Sequence, residues 1–467
     1  MKRIGKTLLA VLSAGMMTST LASCGSSKPE ITLWVGEESV AFYQKVCNEF
    51  EKEQDFGYSI RVVASDAGSI AGPFVADNTA CGDIVTVAHD NIGKFAQKQL
   101  IRGINDPELL AQIEADNPDT YKEVIKSVYG KDTSTKYTFG VPYISQTLFL
   151  MYNKTYISEE QAKTFEGLKE AVDAANAANP ALNASAVTSK GSDGFNFSFT
   201  LLARNAQTKE TSLKLYENLV KTETYAQGDD TVANLKWIND ATTNQNLFTF
   251  PNSSGFQTML NTGSALSVIG GAWMYGACVK AMGGEDKVGI ATIPTWTLQE
   301  RHVEGTTIPA GTVMQGGSFA DCKAFVINGA ISSDKYQPIQ KLLKHLSSKE
   351  VQNKSFLEAY NVPAYEGYME YIETIKDQVP ANIYNLAKAQ DKMAEFGIPQ
   401  PFVTSTLNNY YYMQGADGIY STVVEDEKTT DRKIREALWN MEYIWKWGDN
   451  SKATVPEVLP GSTDKQS

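Results

Sequence analysis

The chain has 467 residues, enough for two or three ordinary domains. With 42 % hydrophobic and 21 % charged residues it has the make-up of a folded globule. A net charge of −12 excludes a general attraction to nucleic acid or to anionic lipid head groups, so no nucleic-acid partner is expected.

In chain order, the first feature is a leader. Lys2, Arg3 and Lys6 precede an apolar stretch from Leu8 to about Ala22, which ends in Leu21-Ala22-Ser23-Cys24. A basic segment, a short apolar segment and small residues before a cysteine form a lipoprotein export signal, residues 1–23. The apolar segment falls short of the roughly 20 residues that span a bilayer. Cleavage before Cys24 leaves its thiol to carry a diacylglycerol, with palmitate-type chains, and residues 24–29 as a tether. No second apolar run long enough to span follows.

Ile31 to Val35, Ile60 to Val63 and Ile84 to Val87 read as short strands. Val40, Tyr43, Val46 and Phe50 recur at helical spacing between the first two, and Ser69 to Asp77 reads as the next crossover helix. Strand, helix, strand at this cadence predicts parallel α/β construction. Gly82-Asp83 is the turn into the third strand. Asp106 to Tyr129 reads as helical. Phe139 to Asn153 reads as extended apolar chain, with Pro142 arguing against a regular central strand and marking a natural domain crossing. Ser158 to Phe248 is predicted mostly helical. Ser264 to Ile269, Lys287 to Ile293 and Ala324 to Asn328 read as strands, with a helix around Trp273 to Met282. Helix returns from Lys335, and Asp431 caps a final amphipathic helix through Ile434 and Leu438. Glu425-Asp426-Glu427 reads as a solvated loop, and residues 456–467 as a disordered tail.

The chemistry available narrows the function. The three histidines, His89, His302 and His345, are far apart and lack metal-ligand spacing. Cys47, Cys81, Cys278 and Cys322 are widely spaced with no CxxC, which argues against zinc. Disulfides Cys47–Cys81 and Cys278–Cys322 and four separate buried thiols stand as alternatives. No GxSxG elbow, Walker loop or GxGxxG fingerprint occurs, so no catalytic residue, metal or cofactor is assigned. Paired carboxylates of a glycan-degrading enzyme stay open as an alternative. Aromatic rings are plentiful: 7 Trp, 22 Tyr and 19 Phe. Phe195, Phe197, Trp273, Tyr275, Trp296 and the run Tyr410-Tyr411-Tyr412 lie beside loop signals. Each alone suits core packing. Three consecutive tyrosines on a helix point in three directions, so at least one faces solvent or a cleft. Flat rings with acid and amide groups form the chemistry that binds sugars, whose apolar faces stack while the rim hydroxyls hydrogen-bond.

The stretch from Gly82 to Gln97, GDIVTVAHDNIGKFAQ, resembles the maltose/maltodextrin-binding proteins of ABC importers, which carry G-P-D-I-x-x-x-A-H-D-R-x-G-x-x-A-Q at that point. The resemblance begins at Leu33-Trp34-Val35. It resumes from Val141-Pro142-Tyr143 through Tyr152-Asn153-Lys154 and continues at Ile269 to Trp273, Ile293 to Thr295, Val326 to Ala330 and Ile398 to Gln400. It implies an α/β fold of two lobes, periplasmic-binding-protein-like, with a three-crossing hinge and an interlobe ligand cleft. Lobe one is expected at 30–143 and 296–346, lobe two at 147–292 and 352–455.

Position by position, Asp90 matches a family aspartate that bonds sugar hydroxyls, and Asn91 stands where an arginine is usual. Glu38 lies near the acidic residue after the first strand, with Ser39 in place of a lysine. Gln146 replaces a glutamate. Trp273 matches a stacking tryptophan, and Phe195 and Phe197 lie at a segment carrying a stacking tyrosine. Tyr410, Tyr411 and Tyr412 lie near another stacking ring; Tyr275 joins the set as a neighbouring aromatic. His89 is expected to be structural. The resemblance implies a monomeric, membrane-anchored receptor that performs no catalysis and hands an oligosaccharide to the permease subunits of an ABC importer. A maltodextrin is the expected ligand; another oligosaccharide or small solute is the alternative.

Overall fold

The computed structural model describes residues 28–188, 198–208, 229–395 and 429–447, apart from positions 68, 132–133, 246, 250 and 252, together with 397 and 423. Cys24, Phe195, Phe197, Tyr410, Tyr411, Tyr412, the 425–427 run and the tail lie outside the described residues.

Two sheets organise the chain. The first runs in the order Ser59–Ala64, Glu30–Val35, Ile84–Ala88, Asp321–Asn328, Ile101–Arg102, with Gly140–Gln146 also paired to Asp321–Asn328. Its first three strands are parallel, as the strand–helix–strand cadence predicts. Asp321–Asn328 enters antiparallel against Ile84–Ala88. Glu30–Val35 alternates buried and less buried positions, whereas Ile84–Val87 is buried throughout, the difference between a strand covered on one face and one covered on both. The helix Val40–Glu53 seals one face through Phe42, Tyr43, Val46, Cys47 and Phe50: three of the four predicted stripe residues, with Val40 only partly buried and Phe42 and Cys47 added. Helix starts follow local chemistry: Asp106 accepts from the amides of Glu108 and Leu109 ahead of Pro107–Asp116, and Thr164 accepts from Gly167 ahead of Phe165–Ala178.

The second sheet runs Phe248–Thr249, Val187–Thr188, Ser267–Gly270, Phe149–Asn153, Val288–Ala291. Each sheet has its own apolar core, so the molecule is built as two lobes.

Pro142 lies inside a real strand, Gly140–Gln146. That strand pairs on one side only, and the register slips opposite Pro142 between Lys323 and Ala324. An edge position with a bulge is where a residue without an N–H is tolerated.

The lobes divide the chain differently from the sequence expectation in two places. Residues 296–319, expected in lobe one, belong to the second core. The Trp296 ring is fully buried and stacks on Trp237 at 4.4 Å and 15°, with Phe165 and Phe199 beside it. Val313–Gln315 pairs with both Arg204–Asn205 and Thr295–Thr297, which fixes the segment there. The chain also returns to lobe two later than expected. The helix Lys349–Ala359 packs on Val40–Glu53, and Lys45 pairs with Glu358 at 2.9 Å. The crossings therefore fall near Gln146–Leu148, Phe319–Asp321 and Asn361–Tyr365. Hydrogen bonds knit them together: Leu148 N–H to Ser318 Oγ at 2.7 Å, Ser145 N–H to the Val362 carbonyl at 2.9 Å, and Gln390 Nε2 to the Ser145 carbonyl at 2.6 Å.

Gly317 leads into the second crossing, and a Cβ there would lie 1.9 Å from the Leu202 carbonyl oxygen. Backbone meets backbone, so rotamer change gives no relief. Gly317→Ala is expected to destabilise the protein by about 1–3 kcal/mol. Urea unfolding measures it, and an unchanged midpoint would show that the chain can move aside freely.

Candidate functional site

Both sheets present one edge to the crossings, and strand register shows which. In the first sheet Ala88 pairs with Lys323 and Gln146 with Asp321, so the C-terminal end of Ile84–Ala88 adjoins the second crossing. In the second sheet Phe149, just past the first crossing, pairs with Gly270, and Leu150 with Ala291. The turns after those strands therefore border one crevice, at the carboxyl ends of parallel strands where α/β folds take ligands.

On the first lobe, Gly36 leads into a short turn, Glu37–Ser39, after the first strand. Glu38 is exposed there, with its carboxylate folded over Gly36 where a Cβ would stand 2.3 Å from Oε1. The turn His89–Asn91 follows the third strand. His89 is buried; Asp90 and Asn91 are partly exposed, and Asn91 Nδ2 donates to Asp90 Oδ1 at 3.0 Å. Gln146 ends its strand at the crossing, partly exposed. Two charged residues that the sequence reading did not single out share this edge: Asp66, after the second strand, and Lys323. The available signal is a lone lysine within the apolar run Cys322 to Ile327.

On the second lobe, Ser267–Gly270 runs into the turn Ala272–Met274 and the helix Tyr275–Met282. Trp273 is 45 % exposed, whereas Trp237, Trp296 and Trp439 are buried. Its ring lies over Gly271, where a Cβ would come within 1.9 Å of it, so the glycine gives the ring its seat. Tyr275, expected beside it in the binding set, is buried in the second core instead, and burial pushes its hydroxyl up to about 12. One residue into the helix, its ring points toward the core, not the crevice. Trp296 is likewise a core ring.

Cys47, Cys278 and Cys322 are separate buried thiols and Cys81 is partly exposed, so no disulfide forms among the described residues. No group of acidic, His or Cys side chains there is arranged for a metal ion. No described helix is long and apolar enough to cross a membrane. A pocket of about 70 Å³ between Arg204, Thr292, Gln315, Gly317 and Lys392 lies near the second crossing. It is far below the roughly 300 Å³ at which small-molecule pockets begin.

A two-lobed molecule with three crossings, a crevice between its sheets and one aromatic ring on the rim is the architecture of a hinged binding protein. The chain belongs to the bacterial extracellular solute-binding proteins: that family's model matches residues 45–381. No curated protein sequence matches the chain. Among solved structures, the maltodextrin-binding protein MalE1 of L. casei BL23, without ligand, is similar with a TM-score of 0.61 at 17 % identity, covering 90 % of this chain and 96 % of that one. MalX of Streptococcus pneumoniae in complex with maltopentaose gives 0.65 at 19 %, covering 88 % and 99 %. A further structure, solved with acarbose, gives 0.64 at 19 %, covering 90 % and 99 %.

Proposed function

We propose that this protein is a lipid-anchored receptor that captures an oligosaccharide, most simply a maltodextrin, and delivers it to the permease of an ABC importer. The observation that carries the reading is Trp273, a half-exposed ring seated on glycine at the crevice rim, across from a first-lobe edge of carboxylates and amides. A sugar ring would stack on the indole while Glu38, Asp90, Asn91 and Gln146 take its hydroxyls. Ligand contacts to both lobes favour the closed form, and closure is a hinge motion about the three crossings. The solved neighbours, one of them bound to maltopentaose, support a sugar as cargo. Phe195, Phe197 and Tyr410 to Tyr412 remain proposed further stacking rings, and Cys24 the proposed anchor.

Calorimetry of the mature chain against a panel of neutral oligosaccharides tests the reading, with maltotriose and longer maltodextrins expected to bind. No heat and no thermal shift with any sugar would sink it. Cleavage of the maltodextrin during incubation would favour the glycan-degrading alternative. For the anchor, detergent-phase partitioning of the full chain should be lost in Cys24→Ser.

A further inference from the structure

The strand Asp321–Asn328 carries one charge within the run Cys322 to Ile327, where every other residue is apolar. That residue, Lys323, stands opposite Ala88 on one neighbouring strand and Ile144 on the other. Side chains directly across a ladder share a face, and residues two apart do too. Lys323 therefore shares its face with Phe325, whose ring stacks on Tyr143 at 4.0 Å and meets Tyr43 edge-on. It stands at the crevice end of that face, two positions beyond the aromatic cluster.

Its surroundings are half spent. Lys323 is partly buried, which costs an ammonium hydration. Burial holds its pKa below the ordinary lysine value, while Glu38 and Asp66 pull it back upward. Yet no hydrogen bond or ion pair engages the Lys323 amine among the described residues, nor the Glu38 carboxylate. Three donor hydrogens and an acceptor carboxylate sit near enough to feel each other, without closing into a pair.

We propose that Lys323 is a ligand-contacting residue that sets specificity in this crevice: with Glu38 it takes two neighbouring hydroxyls of a neutral sugar ring. One hydroxyl accepts from Nζ and the other donates to the carboxylate. A pair of opposite charges reads a diol because each hydroxyl both donates and accepts. The same edge rejects acidic sugars, since Glu38, Asp66 and Asp90 outnumber the one ammonium and like charges repel. The inference rests on the sugar-receptor reading and deepens it.

The test is calorimetry of wild type, Lys323→Met and Glu38→Gln against maltotriose, cellotriose, xylotriose and trigalacturonate. For whichever neutral sugar the wild type binds, Lys323→Met is expected to lose tenfold or more in affinity, with the melting temperature unchanged or raised. Methionine fills similar space without an amine to desolvate. Glu38→Gln lies on an exposed turn and reads the same pair without touching the strand; a comparable loss is expected. Wild-type affinity, within twofold, in both variants overturns the proposal and leaves the receptor reading standing. Tight wild-type binding of trigalacturonate overturns it as well. Failure of the wild type to bind any sugar overturns both.

Discussion

Replacing Trp273 with alanine should weaken oligosaccharide binding by about 1–3 kcal/mol, the range for stacking a flat ligand ring on an aromatic side chain. That is roughly five- to 150-fold in affinity. The ring is 45 % exposed, so its loss leaves the core packed and the melting temperature nearly unchanged. Phenylalanine, still flat and apolar, should recover part of the affinity. Gly271→Ala offers an independent handle: it leaves the indole in place chemically but fills the seat on which it lies. Wild-type affinity in Trp273→Ala, with intact circular dichroism, would remove the ring from the binding site.

The second large effect concerns stability. Asp240, on the helix Asp229–Thr243, accepts from Arg301 Nη2 at 2.8 Å and Nε at 3.0 Å, from Asn244 at 2.9 Å and from Gln245 at 2.6 Å. His302 Nε2 lies 3.2 Å away, and its Nδ1 accepts the Gln299 N–H. One carboxylate thus clamps the segment that the sequence alone had assigned to the other lobe. Asp240→Ala is expected to cost about 1–3 kcal/mol, because one buried carboxylate gathers these hydrogen bonds and its loss leaves the buried His302 ring without its partner.

Burial raises the Asp240 pKa, but the hydrogen bonds from Asn244, Arg301, Gln245 and His302 outweigh it and bring it from 3.8 to about 2. A lowered carboxylate contributes stability that is complete above its unfolded pKa and is lost as pH falls through the folded one. About 2 kcal/mol should therefore disappear between roughly pH 4 and pH 2. His302 adds to this sensitivity: burial lowers its pKa against the pull of Asp240. A folded pKa below the unfolded one makes acid favour the unfolded chain from about pH 6.5 downward. Urea midpoints across pH 2–7 measure both, and the Asp240→Asn variant should flatten the lower part of the profile. Superimposable profiles would show that the clamp does not hold charge as described.

The parts of this molecule written in local pattern were readable. Val40, Tyr43, Val46 and Phe50 name a helix face because burial repeats every three to four residues. The Gly82 motif was also readable, though much of it serves the fold: a Cβ on Gly82 would strike the Trp34 ring, and Asp83 accepts from Thr32 and from Lys335 at 2.9 Å. What stayed hidden was set by distant partners. Trp296 looks the same in sequence whichever core it joins, and only its stacking on Trp237 decides. Tyr275 and Trp273 are two residues apart and equally aromatic, yet one ring is buried and the other open, because the turn into the helix aims them differently. Lys323 is a single charge within the run Cys322 to Ile327, which has no periodic signature.

The placement of Asp321–Asn328 has a consequence for biogenesis. This strand sits between Ile84–Ala88 and Ile101–Arg102 and also carries Gly140–Gln146, so the first sheet cannot be completed without it. Yet it leaves a ribosome or an export channel only after the larger part of the second lobe, residues 148–319. The amino-terminal lobe must wait, with its central pairing unmade, for a strand encoded late in the chain. Pairings so distant in sequence are slow to form. Completion of the first sheet, and with it the crevice edge formed by Ala88 and Lys323, is therefore a late step in folding.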